Sequence, residues 1–362
     1  MTDDRTSSIA RAPHRPRIAV IGTGGTFAMH ARDPFDWIEY SESGIVHPID
    51  TLLATLGELA PDVDLLPVTF RSLGSVAIRP ADWVELARLI RSTARRDPSI
   101  TGFIVTHGTA TLEETAWFLQ LVLDIAQPVI VTGAQRPANT AGSDVLANLR
   151  GAIAAARDPA SAAHGVLVAM DGALFAARDV TKAASFELHA FESPGYGPLA
   201  RVDADARVTW RRGAMPRPGT GDGATPWFDR ALLEADAAVV LPRVDIVMSY
   251  AGADGVAIES FVAAGSMGLI SAGLVPGRPS AGEASAYRQA VEAGVVVVQS
   301  SRAARGVVPP QAFLARDGVI AGGDLSPQKL RIALMLALTL HDATAHDAAQ
   351  QRERIQTLLL AL

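Results

Sequence analysis

No cysteine occurs in the 362 residues, which excludes a disulfide framework, a thiol nucleophile and a cysteine-based zinc site. Covalent chemistry therefore falls to hydroxyls, amines and carboxylates. Charge is sparse as well: charged residues make up 19% and the formal net charge is −6, so there is no basic excess with which to hold nucleic acid or an anionic lipid surface. Neither partner is expected. Long apolar runs are missing too. IALMLALTL (332–340) stops well short of the roughly 18 residues that span a bilayer and reads as a buried helix. The opening MTDDRTSSIARAPHRPR has no apolar centre of the secretory kind, so residues 1–17 are read as a flexible extension and the expected location is cytoplasmic.

What the chain does have is apolar material, 49% of its residues, over a length that one hydrophobic core seldom organises. IAVIGTGG (18–25), TGFIVTHG (101–108), PVIVTGA (128–134) and HGVLVAM (164–170) are short β-branched runs ending in small or polar residues, the pattern of parallel strands buried on both faces. Between them lie helical stretches: ADWVELARLIRSTARR (81–96) and TLEETAWFLQLVLDIA (111–126). From about 209 to 234 the chain turns rich in Gly, Pro and Arg, after which the alternation resumes with VVLPRVDIVMSY, GLISAGL and GVVVVQS. The expected fold is two α/β domains: a larger N-terminal doubly wound sheet over 18–208, a linker over 209–234, and a smaller C-terminal α/β domain over 235–362.

Ligands of such sheets bind beyond the carboxyl ends of the strands, and there the residues carry chemistry. Gly22-Thr23-Gly24-Gly25-Thr26 follows the first run; its glycines admit close backbone approach, its N–H groups suit an oxyanion, and Thr26 offers a hydroxyl. A nucleotide loop is the competing reading, but the spacing fails G-x-G-x-x-G and no Walker lysine follows. At the next strand end stands His107-Gly108-Thr109-Ala110-Thr111-Leu112-Glu113-Glu114-Thr115, whose acids suit the first turn of a helix and in which Thr111 with Glu114 fits an ordinary capping box. Lys182 closes Arg178-Asp179-Val180-Thr181-Lys182; taken alone it reads as a solvated charge.

Taken together, GTGGT, HGTATLEET and RDVTK in this order resemble the bacterial asparaginase/glutaminase family, as do VTGAQRP (131–137), the Ser143 to Leu149 stretch, ESPGYGPLA (192–200), GLISAG (268–273), SSR (300–302) and LSPQKLRIALMLALT (325–339). The resemblance covers roughly residues 17 to 340. It implies a threonine amidohydrolase acting on a small carboxamide, needing no metal and no cofactor, whose site is completed by the second domain of a neighbouring subunit in a homodimer or homotetramer. Carried over, Thr26 is the nucleophile, Tyr40 orients or deprotonates it, and Thr109 with Lys182 forms a second hydroxyl–amine pair. Gly25, Ser75, Val76, Gly108 and Ala110 line the substrate. Tyr40 lies in ARDPFDWIEYSESG (31–44), a loop long enough to act as a lid, where a core or surface tyrosine is the other reading.

Departures from the family pattern cluster where it binds a substrate ammonium. Its Asp after the HGT threonine is Ala110 here; the position after Ser75, often Gln, is Val76; Pro276 stands near a common Asn; and ARGVVPPQAFL after SSR lacks an acid that reaches across the interface. A buried ammonium without acceptors forfeits several kcal/mol of solvation, so the expected substrate is either asparagine or an asparagine-like amide whose α-nitrogen is absent, acylated or in a ring, with Ser75 holding its carboxylate and Arg278 as a candidate to support it; a solvated loop charge is the other reading of Arg278. The alternative of a different class is a catalytically degraded small-ligand sensor on the same fold.

Overall fold

The structure, a computed structural model, describes residues 15–56, 60–214, 228–234, 239–340 and 348–362. Most of the expected N-terminal extension, and residues 215–227 of the expected linker, lie outside the described residues.

The N-terminal lobe is built on β1 (Arg17–Gly24), β2 (Asp64–Leu73), β3 (Ile100–Thr106), β4 (Val129–Thr132), β5 (Val166–Met170), β6 (Ala173–Ala176), β9 (Ala200–Val202) and β10 (Val208–Trp210), with a separate two-stranded ladder of β7 (Thr181–Lys182) and β8 (Phe191–Glu192). The eight-stranded sheet runs β10-β9-β6-β5-β4-β3-β1-β2. The strands from β2 through β5 are parallel, whereas β6, β9 and β10 each join antiparallel. Alternation along β1 explains why both faces must be covered. Ala19 and Ile21 pack with the helices α2 (Pro80–Arg96) and α3 (Leu112–Val122), while Ile18 and Val20 pack against α1 (Ile49–Leu56) and α4 (Val145–Arg157). A short α5 (Ser161–His164) precedes β5.

The C-terminal lobe has a four-stranded parallel sheet, β11 (Val244–Met248), β12 (Gly268–Gly273), β13 (Val296–Ser301) and β14 (Ile320–Ala321) in that order. One face is covered by α7 (Val256–Ala263) and α8 (Ala284–Glu292); the other by α10 (Pro327–Ala337) and α11 (Ala348–Leu360), with α9 (Ala312–Arg316) at the β14 edge. Helix α10 joins the lobes: buried Leu330, Ile332, Leu334 and Leu336 belong to the same apolar cluster as Trp117 and Phe118 of α3. Within the stretch read as linker, α6 (Ala231–Glu234) packs on α2, its Leu232 carbonyl accepting from Arg88 and Glu234 pairing with Arg91 at 2.8 Å.

Candidate active site

At the carboxyl end of β1 the chain must turn sharply, and only glycine fits. Gly24 and Gly25 have φ of 96° and 71°, in the left-handed region. A side chain on Gly25 would come within 2.6 Å of Gly108 N, and one on Gly108 within 2.8 Å of Ser75 Cα. Three loops, after β1, β2 and β3, are therefore in backbone contact, and no room exists for a Cβ between them. The Thr23 hydroxyl donates to Thr106 O at 2.9 Å, a further tie between the first and third of these loops. Thr26, buried, starts a short 3-10 turn.

Tyr40 comes back to this turn. Its phenol oxygen lies 2.7 Å from Thr26 Oγ1, at the start of a 3-10 turn in the loop that the sequence marks as a lid. The loop is closed at its base by His30 N–H to Ile45 O and His47 N–H to Ala28 O, at 3.1 and 2.8 Å. Its middle is held by the Asn139 amide, which bonds both backbone groups of Ala31, and by Arg136, whose guanidinium lies 3.9 Å above the Trp37 ring.

The second pair is assembled from more distant parts. Lys182 Nζ donates to Thr109 Oγ1 at 2.8 Å. Burial pushes the Lys182 ammonium below its ordinary pKa, the direction that lets a lysine serve as a base. The Lys182 backbone N–H donates to Glu113 Oε2 at 2.6 Å, and Gln328 donates to Glu113 Oε1 at 2.8 Å. Glu113 is thus buried with both oxygens engaged. It lies in the first turn of α3, as read from sequence, and it also fixes the strand that carries Lys182. Nor does the capping box form: Thr111 donates to Ser75 O at 2.8 Å and makes no side-chain cap, so its hydroxyl ties the loops together.

Behind Thr109 lies a fully buried polar chain. Trp83 Nε1–H donates to Thr115 Oγ1, and Thr115 Oγ1 meets His107 Nε2, each at 2.9 Å; His107 Nδ1 lies 2.8 Å from Gly108 O. The proton count has one solution. A carbonyl only accepts, so Nδ1 carries the hydrogen; a neutral ring then accepts at Nε2, and the Thr115 hydroxyl supplies that proton. Burial depresses the His107 pKa from 6.5 to about 4, consistent with the neutral ring. The Ser143 to Leu149 stretch is structural in the same way: Asp144 accepts the N–H groups of Gln135 and Arg136, and Asn148 bonds Gly133 O, Asp144 and the Asp171 N–H.

The remaining sequence candidates fall in two places. Ser75, half-buried, opens a 3-10 turn against Gly108, with Val76 89% exposed beside it and Ala110 exposed on the facing loop. Arg278 stands in the C-terminal lobe over the Phe313 ring, 4.4 Å from its centroid, and Pro276 is in the same loop. The structure thus brings Thr26 to Tyr40, Thr109 to Lys182, and Gly25, Gly108 and Ser75 to one another.

The arrangement has counterparts. A family model described as asparaginase, N-terminal, matches residues 17–215, and one described as glutaminase/asparaginase C-terminal domain matches residues 243–351. The chain is 34% identical over 334 residues to a probable periplasmic L-asparaginase of Haemophilus influenzae, covering 92% of this chain and 91% of that protein. It is 34% identical over 326 residues to L-asparaginase 2 of Escherichia coli, covering 90% and 89%. Among solved structures, a probable cytoplasmic L-asparaginase from Campylobacter jejuni superposes with a TM-score of 0.83 at 30% identity, over 95% of this chain and 99% of that one. None of these supports the ligand-sensor alternative. With both lobes matched and the relatives aligned over nine-tenths of its length, the chain belongs to the asparaginase/glutaminase family of amidohydrolases.

Proposed function

We propose that the chain releases ammonia from a small carboxamide through an acyl-enzyme on Thr26. Thr26 Oγ attacks the amide carbonyl while Tyr40, its hydrogen-bond partner, orients the hydroxyl and relays its proton, which ends on the departing nitrogen. Main-chain N–H groups around Gly25 and Gly108 to Ala110 hold the tetrahedral oxyanion, a contribution of a few kcal/mol per donor. Collapse expels ammonia and leaves an ester on Thr26. Thr109 and Lys182 then draw a proton from the water that cleaves this ester. The observation that carries the reading is the two short hydroxyl pairs, 2.7 and 2.8 Å, on loops packed together at Gly25 and Gly108.

As to which amide, the groups lining the opening favour one without a free α-ammonium. Val76 and Ala110 are apolar, and the nearby acid Glu113 is spent on Lys182 N–H and Gln328. Ser75 is then the contact for the substrate carboxylate. L-Asparagine itself is the second reading, favoured by the names of the relatives. Exposed apolar side chains support a homo-oligomer with the site at a subunit interface: Phe35 and Ile38 in the lid loop, Val76 after β2, and Met248, Tyr250, Val275 and Val307 at or after the ends of the C-terminal strands. A catalytic lobe over 18–208, extended by β10 to Trp210, a connection from there to 234, a completing lobe over 235–362 and a cytoplasmic location belong to the same proposal.

The test is ammonia release across asparagine, glutamine, succinamate and N-acylasparagine, run beside Thr26→Ala. Turnover confined to amides lacking the ammonium, and lost in the variant, supports both parts. Dominance of free asparagine sinks the substrate assignment while leaving the mechanism, and an active Thr26→Ala sinks the mechanism.

A further inference from the structure

Lys182 sits in a strand of two residues, too short to hold its own position, so something outside that strand must fix it. Within its own lobe the segment has the β7–β8 ladder and two turn bonds to Ala176 O; the side chains that grip it come from the C-terminal lobe and from Glu113. Lys329, buried in the first turn of α10, sends its ammonium to the carbonyls of Ala177, Arg178 and Val180 at 2.8, 2.6 and 2.6 Å, using all three of its donors. Arg178 in turn donates to Asp324, three residues before the start of α10, at 2.6 Å. Gln328, beside Lys329, reaches Glu113 Oε1, and Glu113 Oε2 holds the Lys182 N–H.

We propose that Gln328 and Lys329 are positioning residues: through Glu113 and the carbonyls of residues 177 to 180, the first turn of α10 sets the place of Lys182 Nζ against Thr109. The C-terminal lobe thereby acts on the site of its own chain, apart from whatever a second copy supplies. Neither residue touches the reacting atoms. The inference rests on the proposed role of Lys182 and adds to it which groups the amine depends on. Since misplacement of a reacting group by about 1 Å can cost on the order of 100-fold in rate, a loosened clasp should appear in kcat and leave KM little changed.

An exchange of partners tests this. Gln328→Glu sets a second carboxylate against Glu113 and breaks the contact; adding Glu113→Gln restores one donor and one acceptor in the reversed sense while still accepting the Lys182 N–H. The expected result is a fall in kcat of about 10-fold or more for Gln328→Glu with KM within about 3-fold, and recovery to within about 3-fold of the parent in the double variant. Gln328→Ala, with a smaller expected loss of kcat, carries the test should the glutamate variant not fold. Full kcat in Gln328→Glu or Gln328→Ala, or a double variant no better than Gln328→Glu, overturns the proposal. Lys182→Met in the same assay separates the two levels: an active Lys182→Met refutes the role of the lysine itself, whereas an inactive one beside a fully active Gln328 variant refutes the positioning alone.

Discussion

Replacing Thr115 by Val probes the buried chain behind the site with nearly unchanged shape. The hydroxyl lost is the acceptor for Trp83 Nε1–H and the donor to His107 Nε2. Trp83 is 3% exposed and His107 and Thr115 are 0% exposed, so water cannot take its place without opening the fold. Two buried polar groups are then left unpaired, at about 1–3 kcal/mol each, for a total loss of roughly 2–6 kcal/mol against a typical domain stability of about 5–15 kcal/mol. Thr115→Ser is the control: it keeps the hydroxyl and removes one methyl, costing about 1 kcal/mol. Urea unfolding followed by tryptophan fluorescence, at one fixed protein concentration because assembly shifts apparent stability, ranks the two. Packing alone predicts that Ser is the worse substitution; the hydrogen-bond chain predicts that Val is. A Val variant as stable as the Ser variant would refute the proton assignment for Thr115 and His107.

Two further outcomes follow from the same residues. The His107 pKa is about 4 in the folded chain and 6.5 in its ordinary state, so the unfolded chain takes up the proton first as pH falls. The contribution present above about 6.5 decays towards 4, and unfolding free energy should drop by about 2 kcal/mol between pH 7 and 5 from this group; a flat urea midpoint over that range counts against a buried neutral ring. Gly108→Ala places a methyl within 2.8 Å of Ser75 Cα, so it should destabilise by about 1–3 kcal/mol and lower ammonia release by spreading the loops that carry Thr26 and Thr109. Thermal unfolding and turnover measured on one preparation check this, and an unaffected variant would mean that the three loops are not held in contact.

How much of this could be read beforehand depends on how local each signal is. The parallel strands β1, β3, β4 and β5 show in the sequence because burial on both faces demands uninterrupted β-branched runs, as at Ile18 to Ile21, whereas β2, at the sheet edge with no buried residue, does not. The antiparallel β9 and β10 are only three residues long, too short to carry a period and not separable from loop by sequence. Thr26, Thr109 and Lys182 are legible only through GTGGT, HGTATLEET and RDVTK taken together in this order, since Lys182 alone reads as a solvated charge. Tyr40 follows from the family resemblance alone, in a long loop whose register the sequence leaves open, and only the folded lid fixes its hydroxyl 2.7 Å from Thr26.

Glu113 shows what sequence position conceals. An acid in the first turn of a helix has a sufficient local explanation in the helix dipole, and that explanation hid the one that matters, since its two acceptors are filled by Lys182, 69 residues away, and Gln328, 215 residues away. Thr111 misleads for the same reason: three residues before an acid it fits a capping box, yet its proton goes to Ser75 O, 36 residues back. A short polar side chain bonds whatever acceptor the packing brings nearest, and at this site the glycine contacts bring three separate loops within reach. Local sequence rules describe the alternatives open to such a residue while the chain is still extended; close packing of Gly25, Gly108 and Ser75 removes the local alternative and leaves the long-range one. The clasp at Lys182 is therefore a product of the assembled fold, and substitutions in α10 should reach the active site although no motif connects them.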